Sequence, residues 1–466
     1  MQKKFLCSIN IFIVGLVMLR GLLYCLVIPF DQAPDERLHF LLIKAKHLQL
    51  TGASLEEKQR VASQIEFFWY RSLYPETKRT QENFTSGYLP NPPSSMHLYY
   101  FMTGWLLNVC SLEHIRDEIY LLRGFSILCG MIVIIFAILI AREVFPNDHF
   151  LRIGIPIFIA FVPQFSAMNG VINNDKLAEV FASLLFWILV NLFKNGLSWQ
   201  SGAAYIIVAL LGLMSKRTMV FILPLSLIAL FVYYWKGLIG VKMHLFLFGG
   251  IFIITLSAYL LLWHPTLHDL VSKYVISIPE SPYLLEKLFR PELFSNATLL
   301  YIAKFFTVMY WGFWGIFGNM TIRLHHFWYV VAAFAQSLAI AGLLKYTMHT
   351  KRCVFLSASE ANQGEKLKIW QAKICYLFGV SIVLWVIIPV FRSIILRFDR
   401  PDLTQGRYLF TVMIPVSMLT MFGLFTIFPK KYHPWVGGIG LCAMLLFDTV
   451  AFINYLLLNF HNAAFF

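Results

Sequence analysis

Apolar runs of about 18–25 residues recur along the chain, parted by short polar breaks. That is the length an α-helix needs to cross a hydrocarbon core about 30 Å thick. The runs lack period-two alternation, so helices are expected rather than a barrel. Of the 466 residues, 59% are hydrophobic and 13% charged, whereas a soluble domain carries about 25% charged residues. A water-soluble fold of this composition would leave large apolar patches exposed. The expected fold is all-α, a polytopic transmembrane helical bundle of about 11 to 13 spans, one domain over residues 1–466.

Lys3 and Lys4 precede the first run, Cys7 to Phe30. The run is long for a signal peptide and lacks a small-residue cleavage site, so an uncleaved first span with its N-terminus in the cytoplasm is expected. Further spans are expected at Tyr120 to Ala141, Ile153 to Ile172, Leu177 to Phe193, Ala203 to Met214, Met219 to Trp235 and His244 to Trp263. Four more follow at Phe327 to Leu344, Ile374 to Leu396, Tyr408 to Phe428 and Val436 to Leu458. Residues 31–96 are too charged to enter lipid and form a structured first external loop. Two stretches, His97 to Cys110 and Ala297 to Phe317, are assigned to the external interface, within external segments 97–112 and 264–325. Trp311, Trp314 and Trp328 suit an interfacial belt. Residues 346–373, preceded by Lys345 and carrying Lys351, Arg352, Lys366, Lys368 and Lys373, read as a cytoplasmic loop.

The net charge of +14 sits at span ends and is not massed on a soluble module, so lipid headgroups are the expected partners and nucleic acid is not. The seven cysteines are scattered, without CxxC pairs or metal-ligand spacing. Walker A, HExxH, GxSxG and Rossmann glycine patterns are absent, which disfavours ATP-driven transport and common hydrolase chemistry. Three glycosylation sequons, at Asn83, Asn296 and Asn319, matter only in a host that glycosylates.

Four polar constellations could carry chemistry. The first, Asp31 to Phe40, follows span one. Pro34 suits the first turn of a helix, where Asp35 and Glu36 would favour the positive end of the dipole. Asp35 and His39 are four residues apart and Glu36 and His39 three apart, so acids and an imidazole share a face. Such a group could act as a base or hold a divalent cation. The second, Asn169 to Lys176, contains Asn173 and Asp175 between two spans and reads equally as a turn. The third is Ser215 to Thr218, with Lys216 and Arg217 on the expected external side. Cations at span ends commonly snorkel, but an external Lys-Arg pair also suits a bound phosphate. The fourth is Gln405 to Tyr408, where Arg407 is either a headgroup anchor or a phosphate ligand.

The order of these pieces resembles the GT-C superfamily of membrane glycosyltransferases. The resemblance rests on the acidic element at Asp35, a PP-x-x-x-x-LYY helix at Pro92 to Tyr100, Arg123 opening the next span, Asn173 to Asp175, and Lys216 after the following hairpin. With Trp314 to Gly318 and Gln405 to Leu409 added, the pattern is most similar to a family of bacterial multi-pass proteins of unassigned function. Protein O-mannosyltransferases and lipid A aminoarabinose transferases carry a similar acidic element. The resemblance implies a GT-C-like fold and a polyprenyl-phosphate-linked sugar donor. It also implies transfer to a glycan, lipid or protein acceptor at the outer face of a bacterial inner membrane.

By the same resemblance, Asp35 and Glu36 would be catalytic and His39, Asn173 and Asp175 would lie near the acceptor or a metal. Lys216, Arg217, Arg407 and Arg123 would bind donor or phosphate. A divalent cation (Mg or Mn) near Asp35 and Asp175 is the cofactor expectation, since the superfamily has members that need one. Two other readings remain open: a secondary transporter or flippase for a lipid-linked or acidic solute, and a noncatalytic protein of the same fold. A transporter would place charges near the bilayer midplane, whereas those in this sequence fall mostly at span ends.

Overall fold

A computed structural model describes residues 2–74, 79–80, 83–84, 87–92, 97–234, 296–354, 369–396 and 405–460. The chain is mostly helical, and seven of the described helical segments are long and apolar enough to cross a membrane. Helix α1 (Gln2–Val27) leads into α2 (Glu36–Leu50) and α3 (Leu55–Leu73), which build the expected structured loop. Ser54 caps α3 by accepting from the Glu57 N–H at 3.2 Å. Next come α4 (Leu98–Cys110) and the long α5 (Ile115–Val144).

The expected span Ile153 to Ile172 is broken. It forms α6 (His149–Ala160) and α7 (Pro163–Asn169), bent 61° from one another. Pro163 cannot donate the hydrogen bond that would continue α6, but suits the first position of a new helix. Helices α8 (Asp175–Asn195), α9 (Trp199–Ser215) and α10 (Ile222–Tyr234) follow, with a 3₁₀ turn, Arg217–Phe221, before α10. Helix α9 and the segment Thr218–Tyr234 are apolar but shorter than a full crossing. The expected span His244 to Trp263 lies outside the described residues, as do residues 264–295.

Ala297 to Phe317 folds as α11 (Asn296–Trp314) and the first strand of a small antiparallel hairpin. Its strands, β1 (Ile316–Phe317) and β2 (Ile322–Arg323), pair Ile316 with Arg323 and Phe317 with Ile322. Helix α12 (His326–Val354) and α13 (Ile369–Leu396) extend into both ends of the expected loop 346–373, so those ends are helical; residues 355–368 lie outside the described set. A 3₁₀ turn, Gly406–Val412, opens α14 (Met413–Ile427). Finally α15 (His433–Val450) widens into a π-helical turn, Ala451–Leu457.

Backbones meet where α12 crosses α14: a methyl group on Gly342 would overlap Gly423, and one on Gly423 would overlap Ala339. Small residues at a crossing permit such approach in a bilayer, where packing rather than water drives association. A second apolar cluster, with Phe30, Phe40, Ile43, Tyr99, Leu107 and Leu122, seats α2 and α4 against α5. It holds the loop after α1 over one end of the bundle.

Candidate active site

Two neighbouring acids after α1 have opposite fates. Asp35 stands just before α2 in the left-handed region, φ 64°, and Glu36 is the first helical residue. The expectation that Asp35 lies within the helix is corrected: it precedes the first turn, although its carbonyl accepts from the His39 N–H at 2.9 Å. The turn sends Glu36 inward, to 0% exposure. Its Oε1 accepts from Arg123 Nε at 2.8 Å and the Ile172 N–H at 3.1 Å. Its Oε2 accepts from Arg123 Nη2 at 2.9 Å and the Asp31 N–H at 3.1 Å.

Arg123 spends its remaining donors on the carbonyls of Cys25, Ile28 and Pro29, at 2.7, 2.8 and 3.3 Å. All five guanidinium N–H groups and the four acceptor sites of Glu36 are therefore used. As arranged, neither Glu36, expected to be catalytic, nor Arg123, expected to bind donor, has a polar group left over for a ligand. Each is saturated by the other and by backbone, so together they tie the end of α1 to α2, α5 and the α7–α8 link.

Asp35 turns the other way. Its side chain is 47% exposed, and Oδ2 accepts from Arg407 Nη2 at 2.5 Å. Arg407 Nη1 donates to the Pro34 carbonyl at 2.9 Å. Arg407 Nε lies 3.8 Å from Asp175 Oδ2, and the other Asp175 oxygen pairs with Lys216 Nζ. Asp175, Lys216, Arg407 and Asp35 therefore meet at one end of the bundle. Asp175 opens α8, where the helix dipole favours a carboxylate. Lys216 follows the last residue of α9. Its ammonium lies 5.0 Å from the centre of the Tyr408 ring.

Gly406 lies on the backbone of α11 at Gly312 and Phe313, where a Cβ has no room, and this contact delivers Arg407. Asn173 is fully buried and its Oδ1 accepts from the Asp175 N–H at 3.0 Å, shaping the start of α8. The side chain of Arg217 lies outside the described residues.

His39, on α2, borders the same group. Burial first, then the charges of Arg407 and Lys216, hold its imidazole well below the usual histidine range, so it is neutral at physiological pH. Its Nδ1 is 2.8 Å from the Tyr100 hydroxyl, which also accepts from Asn174 Nδ2 at 3.3 Å. Tyr100 and Asn174 were not singled out by sequence reasoning. Both lie within segments that were, the LYY helix and the Asn169 to Lys176 element.

The hairpin β1–β2 buttresses the acidic loop. Asn319 Nδ2 donates to the Asp31 carbonyl at 2.6 Å, and the Asn319 N–H donates to the Gln32 carbonyl at 3.1 Å. Asp31, Asp35, Asn319 and Met320 all have positive φ, a conformation that costs a residue with a side chain and persists only where its surroundings enforce it.

As arranged, Asp35 and Asp175 do not fit a shared divalent ion. The Arg407 guanidinium reaches both carboxylates, and Lys216 takes the outer oxygen of Asp175. Charge is not confined to helix ends either. Arg20 on α1 pairs with Asp448 on α15, and Tyr24 donates to Asp448 at 3.0 Å. Lys176, 0% exposed, donates to Glu179 at 2.7 Å and Asn169 at 3.0 Å. No family model matches the chain, and neither does any curated protein.

Proposed function

We propose that this chain is a membrane glycosyltransferase that moves a sugar from a polyprenyl-phosphate carrier to a glycan, lipid or protein acceptor. The transfer takes place at the outer face of a bacterial inner membrane. The observation that carries the reading is the meeting of Asp35, Asp175, Lys216 and Arg407 at one end of a bundle of membrane-length helices. Asp35, the more exposed acid, takes the proton of the acceptor hydroxyl as that oxygen attacks C1 of the sugar. The bond from C1 to the phosphate oxygen breaks on the opposite face, and its electron pair leaves with the phosphate. Lys216 and Arg407 meet the growing negative charge. Configuration at C1 inverts. The polyprenyl tail stays in the lipid or in apolar grooves between helices, so the donor never leaves the bilayer. No step is routed through a metal, because Arg407 joins the two acids.

The test is transfer or release of labelled sugar from a polyprenyl-phosphate sugar by purified protein in nanodiscs, with and without a chelator. Asp35→Asn should lower turnover about 100-fold or more, with the protein still folded, because Asn tolerates the left-handed backbone at this position. Undiminished turnover in Asp35→Asn removes Asp35 as the base. Activity abolished by the chelator and restored by Mg or Mn removes the metal-free step.

A second reading, a transporter or flippase for a lipid-linked solute, is favoured by the ion pairs Arg20–Asp448 and Lys176–Glu179 and by the break between α6 and α7. Movement of a lipid-linked sugar between leaflets of proteoliposomes, without sugar transfer, would select it. Neither activity would leave a noncatalytic member of the fold.

A further inference from the structure

We propose that Asn174 and Tyr100 are positioning residues that fix His39 as its Nε2–H tautomer, so that His39 offers the site a hydrogen-bond donor to an anionic oxygen and not a second base. Three elements build this relay. His39 lies in the first turns of α2, Tyr100 in the first turn of α4, and Asn174 immediately before α8. The Tyr100 oxygen lies 3.3 Å from Asn174 Nδ2 and 2.8 Å from His39 Nδ1.

A phenol has one proton to give and two lone pairs to receive with. With Asn174 donating into one lone pair, His39 Nδ1 is the acceptor among the described residues that lies within reach of the phenolic proton. That nitrogen must then be bare, and in a neutral ring the proton resides on Nε2. A second proton is disfavoured by burial and by the neighbouring charges of Arg407 and Lys216. Burial likewise pushes the Tyr100 phenol up, so it keeps its proton and stays a donor. In this state His39 cannot accept a proton at Nε2. It can donate to an oxygen carrying negative charge, of the kind the two cations attract. Its companion Asp35 remains the base.

The ligand assignment rests on the glycosyltransferase reading, but the tautomer does not. It is measured on the full chain in lipid, without substrate, by nitrogen and carbon spectra of histidine-labelled protein. The His39 signals are identified by their loss in His39→Gln. The expected result at neutral pH is a protonated Nε2 and a bare Nδ1. Asn174→Asp is the discriminating variant. It is nearly isosteric and keeps a residue suited to the start of a helix, but its carboxylate accepts the phenolic proton. Tyr100 then accepts from His39, and the proton should move to Nδ1. A protonated Nδ1 in the native chain overturns the proposal, as does a tautomer unchanged in Asn174→Asp. Absence of sugar transfer, with the tautomer as expected, overturns the proposed function and leaves the relay standing.

Discussion

At the scale of single residues, the sign of one backbone angle separates structure from chemistry. Asp35 and Glu36 are adjacent and alike, and nothing in the sequence distinguishes them as helix-start acids. The left-handed φ at Asp35 sends one to a half-open ion pair and the other into a saturated one. Glu36→Gln leaves the buried Arg123 charge without its counterion and should destabilise the fold by about 3–5 kcal/mol. The measurement is the melting temperature in detergent, with an unchanged value overturning the assignment. Asp35→Asn should cost less than Glu36→Gln, because Asp35 is half exposed and the buried Arg407 keeps Asp175 beside it, the reverse ranking of stability and activity.

His39 adds a pH signature. Because its native pKa is depressed, the unfolded chain binds a proton that the native chain refuses as pH falls past about 6.5. Its stability contribution is complete above that value and is lost below it. Between about pH 7 and about pH 5 the native protein should lose more thermal stability than His39→Gln. Equal slopes would place the histidine in the same protonation state folded and unfolded. The neutral state itself was not legible from sequence, because it rests first on burial by tertiary packing and then on Arg407 and Lys216, which come from 368 and 177 positions away.

At the scale of elements, the long apolar helices α1, α5, α8, α12, α13 and α14 follow directly from run length and hydropathy. What escaped was local. The break before Pro163 was hidden by an apolar run on both sides, although the proline itself was the signal. Gly406 is the element-level contact on which the site depends, since it lets the 3₁₀ turn Gly406–Val412 lie against α11. In Gly406→Ala the new methyl group must push the turn off the α11 backbone. A stability loss of about 1–3 kcal/mol and a loss of sugar transfer are expected together, in melts and in the nanodisc assay. Full activity in that variant would mean that Arg407 reaches its place by some other support. Arg20 and Asp448 each stand inside an apolar run, but a partner 428 positions away is set by helix packing that periodicity does not encode.

At the scale of the whole molecule, the site imposes a parity on the chain. Asp35 and Asp175 both face Arg407, so the segment between them crosses the membrane an even number of times. Helix α5 is long and apolar enough for one crossing, and the pair α6–α7, bent 61° at its break, would supply the second as one broken span. Helix α4, with 13 residues, is about 20 Å long, too short for a third, and packs on α2. Glu113, before α5, and Trp199, at the start of α9, should therefore lie at opposite faces. In a cysteine-free background, Glu113→Cys and Trp199→Cys should react with an impermeant thiol reagent from opposite sides of sealed vesicles. Labelling of both from one side would break the parity. Motif order in the sequence pointed to the convergence of Asp35, Asp175, Lys216 and Arg407, because each stands at the end of an apolar run. It could not reveal that the four neutralise one another pairwise.

The ion pair between Asp35 and Arg407 also sets a clock. The two residues are 372 positions apart, and at about 5–20 residues per second the ribosome delivers the arginine roughly 20–70 s after the aspartate. Asp175 waits only a fraction of that time, since Lys216 follows 41 positions later. Throughout the longer interval the growing chain carries its first acid without its guanidinium, and helices already in the bilayer cannot yet form the completed cluster. The cluster is therefore completed late in biogenesis, and a chain released before the turn at Gly406 can insert most of its helices and still lack it.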